Sequence, residues 1–454
     1  MSWLLHEWRL LVRSKLALAA LALLFVLSTL AVLAGSREVT RQQETIARLA
    51  DLQQQDMAAQ AKKYVQGGDP GAAAYYTFHS TWDLPSPTAF LALGLRDAAP
   101  YVLRIRALAL QAQLHEGESF NPELALAGRF DFAFVLVYLA PLFLIALLHD
   151  LVSSERRSGR LGTLLAMPGA GERLWLRRAG LRTILAFGCL VVPVLAAAMA
   201  RGTPLGALSV VLLVTAGYLA FWSGLALILA TRKASSAANA MALMGCWVVL
   251  TFVLPTLANA VLARAVPVHQ GVDLMLAQRE TVHGAWDLPP GDTMEKFFRT
   301  HPEWKHTAPL PAGFHWKWYY AFQQLGDESV ASQAEAYRNS LLARQRWTSW
   351  LGWVLPGVGV QSALQRQADT DLQAQLGYQD RIADFHGQLR AFYYPYLFEE
   401  RSFGTQDFAR QPKFVSSQQP STLPQGQLLG LMVVGALALA LGIAAARRVR
   451  MTHH

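Results

Sequence analysis

Charge is scarce in this chain. Only 16% of its 454 residues are Asp, Glu, Lys or Arg, against about 25% in an ordinary soluble domain. Cysteine is scarcer still. Cys189 and Cys246 are the whole complement, and both fall inside apolar runs, which excludes a disulfide framework for the polar segments and leaves the two thiols as packing residues. No G-x-x-x-x-G-K-[ST] loop occurs, so the chain cannot cradle ATP by that route. The apolar runs lack the period-two alternation of barrel strands. They also lack any deep Asp, Glu, Lys or Arg, which argues against a proton-coupled carrier. No cluster of His, Ser and acids marks an enzyme's catalytic centre.

What is present is hydrophobic length: 53% of the residues are apolar, gathered into uncharged blocks. About 18 apolar residues in a helix cross a hydrocarbon core of about 30 Å, and lipid admits only helices or closed barrels. Six blocks meet or approach that length: residues 16–34, 132–148, 183–200, 204–231, 234–263 and 428–446. Pro141, Pro193 and Pro255 interrupt three of them, as membrane helices tolerate. The first block is too long for an ordinary signal core and reads as a retained anchor. The fold class is therefore an all-α integral membrane protein. Six transmembrane helices carry two large, mainly helical extracytoplasmic insertions.

Charge sets the orientation. With the N-terminus inside, the inner segments hold fifteen bases, among them Arg9, Arg13, Arg156, Arg160, Arg178 and Arg447, and four acids, Glu7, Asp150, Glu155 and Glu172. The remaining 25 bases face 27 acids. The whole positive excess lies on one side, as the positive-inside bias requires, so the pI of about 9.6 calls for no nucleic-acid partner. The reading is a multi-pass protein of a bacterial inner membrane with both termini cytoplasmic. Residues 1–34 form an interfacial amphipathic helix and the first span. Residues 35–131 form the first extracytoplasmic segment, 132–148 the second span and 149–182 a cytoplasmic connector. Residues 183–263 hold spans three to five, 264–427 the second extracytoplasmic segment, and 428–454 the last span with a basic tail.

Within the first insertion the pattern predicts a helix over 37–66, a loop-rich stretch after it and another helix over 98–115. Within the second it predicts helices near 272–282, 294–301, 316–346 and 361–392, with the Trp-rich stretch 347–360 lying in the interface. Asn239 and Asn259 in the fifth span are candidates for a polar path or for helix–helix hydrogen bonds. His301, His306 and His315 are weak metal candidates, since their spacing fits no standard ligand set and no Cys supports them. The run Trp316-Lys317-Trp318-Tyr319-Tyr320 suits an interfacial belt or a lipid or peptide contact.

The connector is the most informative stretch. Ser153-Ser154-Glu155 looks like a helix start, Gly159 and Gly162 permit a tight turn, and Leu161, Leu164, Leu165 and Met167 form a small apolar face ended by Pro168. By spacing alone this is either a lever gripped by a partner or a basic interfacial loop. Asp150, Glu155-Arg156, Gly159, Gly162-Thr163-Leu164 and Ala166-Met167-Pro168 resemble the connector signature of type-2 ABC exporter permeases. The branch they resemble includes the permease for maturation of nitrous oxide reductase, a multicopper enzyme. Leu355-Pro356, Gln361-Ser362-Ala363-Leu364, Asp369-Thr370-Asp371 and residues 378–394 resemble a pattern of one six-span subfamily whose outer domain has no assigned function. Arg178-Ala179-Gly180 departs from the Gly-Lys of many relatives but keeps the charge.

The resemblance implies a non-catalytic permease subunit, paired as a homodimer and driven by a separate ABC ATPase that carries ATP and Mg²⁺. This chain would hold no cofactor of its own. Asp150, Glu155, Arg156, Gly159, Leu161, Gly162, Thr163, Leu164, Leu165 and Pro168 would form the ATPase-coupling segment. Membrane lipid and a periplasmic or outer-membrane protein are further expected partners. The other reading is a scaffold or maturation component that hands cargo or metal to an extracytoplasmic protein without transport.

Overall fold

The computed structural model describes residues 2–63, 68–115, 129–166, 170–268, 271–416 and 425–448. It is 79% helical with almost no strand. Six helices are long and apolar enough to cross a membrane: Lys15–Lys63, Phe132–Arg157, Leu174–Arg201, Leu205–Ala230, Ser236–Ala265 and Gln425–Arg448, spans one to six below.

Their ends follow from local chemistry. Ser14 separates the N-terminal helix Ser2–Arg13 from span one. Span one then runs unbroken for 49 residues, about 70 Å at 1.5 Å per residue, far more than a bilayer needs. Span two starts at the cap Asp131, whose carboxylate accepts from Phe134 N and Leu93 N at 2.9 Å each. Spans two and five each carry one π-helical turn, Val135–Leu139 and Val249–Val253, placed just before Pro141 and Pro255, where the missing N–H disturbs the helical ladder.

Spans four and six form the tightest pair. A Cβ on Gly435 would lie 2.4 Å from the carbonyl oxygen of Gly217, and one on Gly224 would lie 2.2 Å from that of Ala438. Small residues at helix crossings let backbones meet in this way, which replaces the hydrophobic drive that lipid cannot supply.

The two insertions build one domain with a shared core of Ile105, Phe297, Tyr320, Tyr378, Tyr393 and Phe398. Trp318 and Tyr320 are buried in it, so the aromatic run at 316–320 serves this core rather than an interfacial belt. Over 98–115 the helix expected from the pattern is replaced by strand Val102–Ile105, paired antiparallel with His79–Trp82, and a short helix Leu110–His115. Trp82, Thr81 and Val102 favour extended pairing once a neighbouring helix covers one face. Asp83 stitches the insertions together: it pairs with Arg96 and, at 2.6 Å, with Arg381. Arg96 Nε also donates to Gln42 on the extension of span one at 2.9 Å.

The stretch 347–360, expected in the interface, has a definite shape. It is the turn of a helical hairpin, Ala331–Val354 and Pro356–Gln367, broken where Pro356 cannot continue the preceding helix. The hairpin packs against spans four and six. Gly357 sits 3.6 Å from Val137 and 3.7 Å from the Tyr218 hydroxyl, measured from a built Cβ, and Gly430 faces the Trp353 ring. Trp347 and Trp350 stay exposed on its outer side.

Candidate functional site

At the end of span two opposite the insertions, the chain turns through Asp150–Val152 into the short helix Ser153–Arg157. Gly159, at φ +71°, has open space around its missing Cβ. It is required for its left-handed backbone, not for room. A second short helix, Leu161–Ala166, follows. The connector is thus two short helices around a Gly turn. Met167 and Pro168 lie outside the described residues.

The ten residues expected to couple to an ATPase divide by direction. Leu161 is buried, and Leu164 and Leu165 pack partly against the membrane core. Gly159, Gly162 and Thr163 are exposed, together with Arg157, Ser158 and Arg160. They form a polar tip. Arg156 is half-buried and donates to the Arg232 carbonyl at 3.2 Å. Asp150 lies 3.5 Å from Arg182, whose guanidinium also reaches the Leu147 carbonyl.

Glu155 is the hub. It is 7% exposed and accepts from Arg160 Nε at 2.9 Å and Arg178 Nη1 at 2.7 Å. Arg178 in turn donates through Nε to Glu7 at 3.1 Å, and Glu7 is itself buried in the N-terminal helix. One guanidinium therefore joins the connector, span three and the N-terminal helix, beside a cavity of about 110 Å³ lined by Leu10, Leu151 and Leu181. Charged hydrogen bonds shielded from water are stronger and more directional than exposed ones.

Span five is tied in as well. Ser153 and Ser236 share a hydroxyl hydrogen bond of 2.8 Å, Arg157 donates to Ser236 at 2.7 Å, and Asn239 Nδ2 donates to the His149 carbonyl at 3.4 Å. Asn239, 2% exposed, is a connector joint. Asn259 is exposed toward the other end of the same span.

Glu7, Arg178 and Ser236 are not among the residues expected to couple. A signal existed for Glu7. It precedes Leu11 by four residues, so the two share one helical face, and that face is the buried one. Trp8 and Val12 point outward.

The histidines stay apart. His301 has both ring nitrogens against carboxylates, Glu303 at 3.2 Å and Glu328 at 2.6 Å. His315 Nδ1 caps a helix by accepting from Lys317 N at 3.1 Å, and His306 is exposed. Among the described residues no three His, Cys, Asp or Glu side chains converge as a metal site would need.

A bundle of six apolar helices with a polar connector at one end defines a multi-pass membrane protein. Residues 1–300 match the family described as ABC-2 family transporter protein, and residues 273–416 match a domain of unknown function, DUF3526. The chain belongs to the ABC-2 transporter family and is a membrane permease component of an ABC system. No curated protein and no solved structure matches it.

Proposed function

We propose that this permease component is driven by a separate ABC ATPase chain that docks on the exposed tip Arg157–Thr163, and that the stroke enters the membrane through Glu155. The buried Glu155–Arg178–Glu7 bridge carries this reading. A basic loop that only satisfied a charge bias would have no need to bury a carboxylate between two guanidinium groups. In this reading ATP and Mg²⁺ sit on the partner, this chain is non-catalytic, the connector and both termini face the cytoplasm of a bacterial cell, and the insertions are extracytoplasmic. The chain works as a homodimer. Span five supports that: among its described residues only Asn239 and Leu243 are buried, which leaves nearly the whole helix for lipid or a second copy.

What the stroke does is export or extracytoplasmic conformational work. The second is favoured by span one, a single helix reaching from the connector side into the insertion domain, where Gln42 holds Arg96. The maturation role of the nitrous-oxide-reductase branch, handing cargo or metal to an extracytoplasmic or outer-membrane protein, fits that variant.

The test is purification of the complex with its ATPase and measurement of ATP hydrolysis. Thr163→Trp, on the exposed tip, should abolish co-purification. Glu155→Gln should keep the complex together but lower stimulated hydrolysis at least tenfold. If the wild-type chain brings down no ATPase, the scaffold reading stands instead.

A further inference from the structure

The insertion domain contains a cavity of about 370 Å³ that the coupling mechanism does not use. It lies between the helices Gly271–Gly284, Pro290–Thr300 and Trp316–Ser329, and no residue of a membrane span lines it. Its volume falls within the range of small-molecule sites, about 300–1,000 Å³. Ala285, Leu288, Phe322 and Leu325 give it carbon walls.

Most of its polar groups are already satisfied. Glu328 accepts from His301 and, at 3.0 Å, from Gln324. Ser329 donates to the Gly326 carbonyl at 2.8 Å, and Thr281 to the Ala277 carbonyl at 3.2 Å. Two groups differ. Thr293 is 2% exposed and its hydroxyl has no hydrogen-bond partner among the described residues, which is costly for a buried polar group unless something supplies one. Lys296 is exposed at the rim and makes no ion pair among the described residues. Thr293 and Lys296 stand three apart on one helix, so hydroxyl and ammonium share a face. A carboxylate placed there would accept from both.

We propose that this cavity binds a soluble amphiphile with one carboxylate and a medium-length apolar body. The head sits on Thr293 and Lys296, and the body on Leu288, Phe322 and Leu325. The site stands apart from the coupling reading, because occupancy needs no ATPase.

The experiment uses the full chain in zwitterionic nanodiscs and decanoic acid with a diazirine at its far end, the label being mapped by peptide mass spectrometry. Label is expected on peptides spanning 271–300 and 316–329. Excess decanoic acid should compete and decylamine should not. Lys296→Glu should cut labelling at least tenfold and Lys296→Arg should keep it. Thr293→Val should lower it about fivefold, the worth of roughly one hydrogen bond. Unchanged melting of each variant separates lost binding from lost fold. Label confined to the spans, equal competition by decylamine, or full labelling of Lys296→Glu would each overturn the assignment.

Discussion

A Cβ on Gly442 would lie 2.6 Å from the carbonyl oxygen of Gly224, so spans four and six touch backbone to backbone at that depth. Backbone cannot swing aside as a side chain can. Gly442→Val should therefore cost about 3 kcal/mol, at the upper end of ordinary overpacking penalties, and should lower the melting temperature of the detergent-solubilised protein by several degrees. Gly426→Ala on the same helix, where a Cβ would meet nothing within 4 Å, should leave it unchanged. Equal melting of the two variants would refute the close crossing.

Arg178 stands between two buried acids, with side-chain exposures of 12% for Arg178, 10% for Glu155 and 7% for Glu7. Removing the cation leaves two carboxylates without their shared partner, whereas removing one acid leaves the other pair intact. Arg178→Gln should thus destabilise by about 3–5 kcal/mol and Glu155→Gln by clearly less. A double-mutant cycle should show coupling beyond about 1 kcal/mol. Additive losses within error would mean that the bridge does not act as a unit.

The spans were legible because uncharged length without period-two alternation leaves the helix as the one solution in lipid. The same habit hid Glu7 and Arg178, since a charge count treats every charge as a vote on orientation and none as a buried partner. The stretch 347–360 is too short to span, and its tryptophans point to the interface without disclosing the hairpin. Only Gly352, Gly357 and Gly359, whose missing side chains admit the facing backbone and the neighbouring spans, betray that it packs inward. The Asp369-Thr370-Asp371 stretch was visible as a pattern, but its work is long-range. Thr370 donates to the Ala92 carbonyl at 2.8 Å and Asp371 caps the helix Leu372–Phe398. No local period encodes a contact 278 residues away.

Acid should loosen the insertion domain. Burial lowers the pKa of His79 to about 4 and, with help from Arg390, that of His386 to about 3. Both folded values lie below the unfolded value of about 6.5. The neutral ring is therefore favoured by the fold, and stability is full above pH 6.5 and is lost as pH falls toward 4 and then 3. For His79 alone the loss is about 3 kcal/mol, at about 1.4 kcal/mol per pH unit. Hydrogen exchange of the full chain at pH 7 and pH 4.5 should show faster opening around residues 79–82 and 372–398 at the lower pH. His79→Phe should weaken that pH dependence. An unchanged exchange pattern would remove the buried histidines as its cause.

The proposed sidedness rests on the charge asymmetry of the sequence, and it can be tested one residue at a time. Ser158 is exposed on the connector tip and Ser332 is exposed on the insertion domain, while the native Cys189 and Cys246 are only half-buried and need replacement by Ala. In that background a membrane-impermeant maleimide applied to spheroplasts should label Ser332→Cys fully. Ser158→Cys should be labelled only after the membrane is broken. The arginines around Ser158 make the reverse arrangement expensive, because bases flanking spans are held on the cytoplasmic side. Labelling of Ser158→Cys from outside would invert the protein and put the connector beyond the reach of any cytoplasmic ATPase.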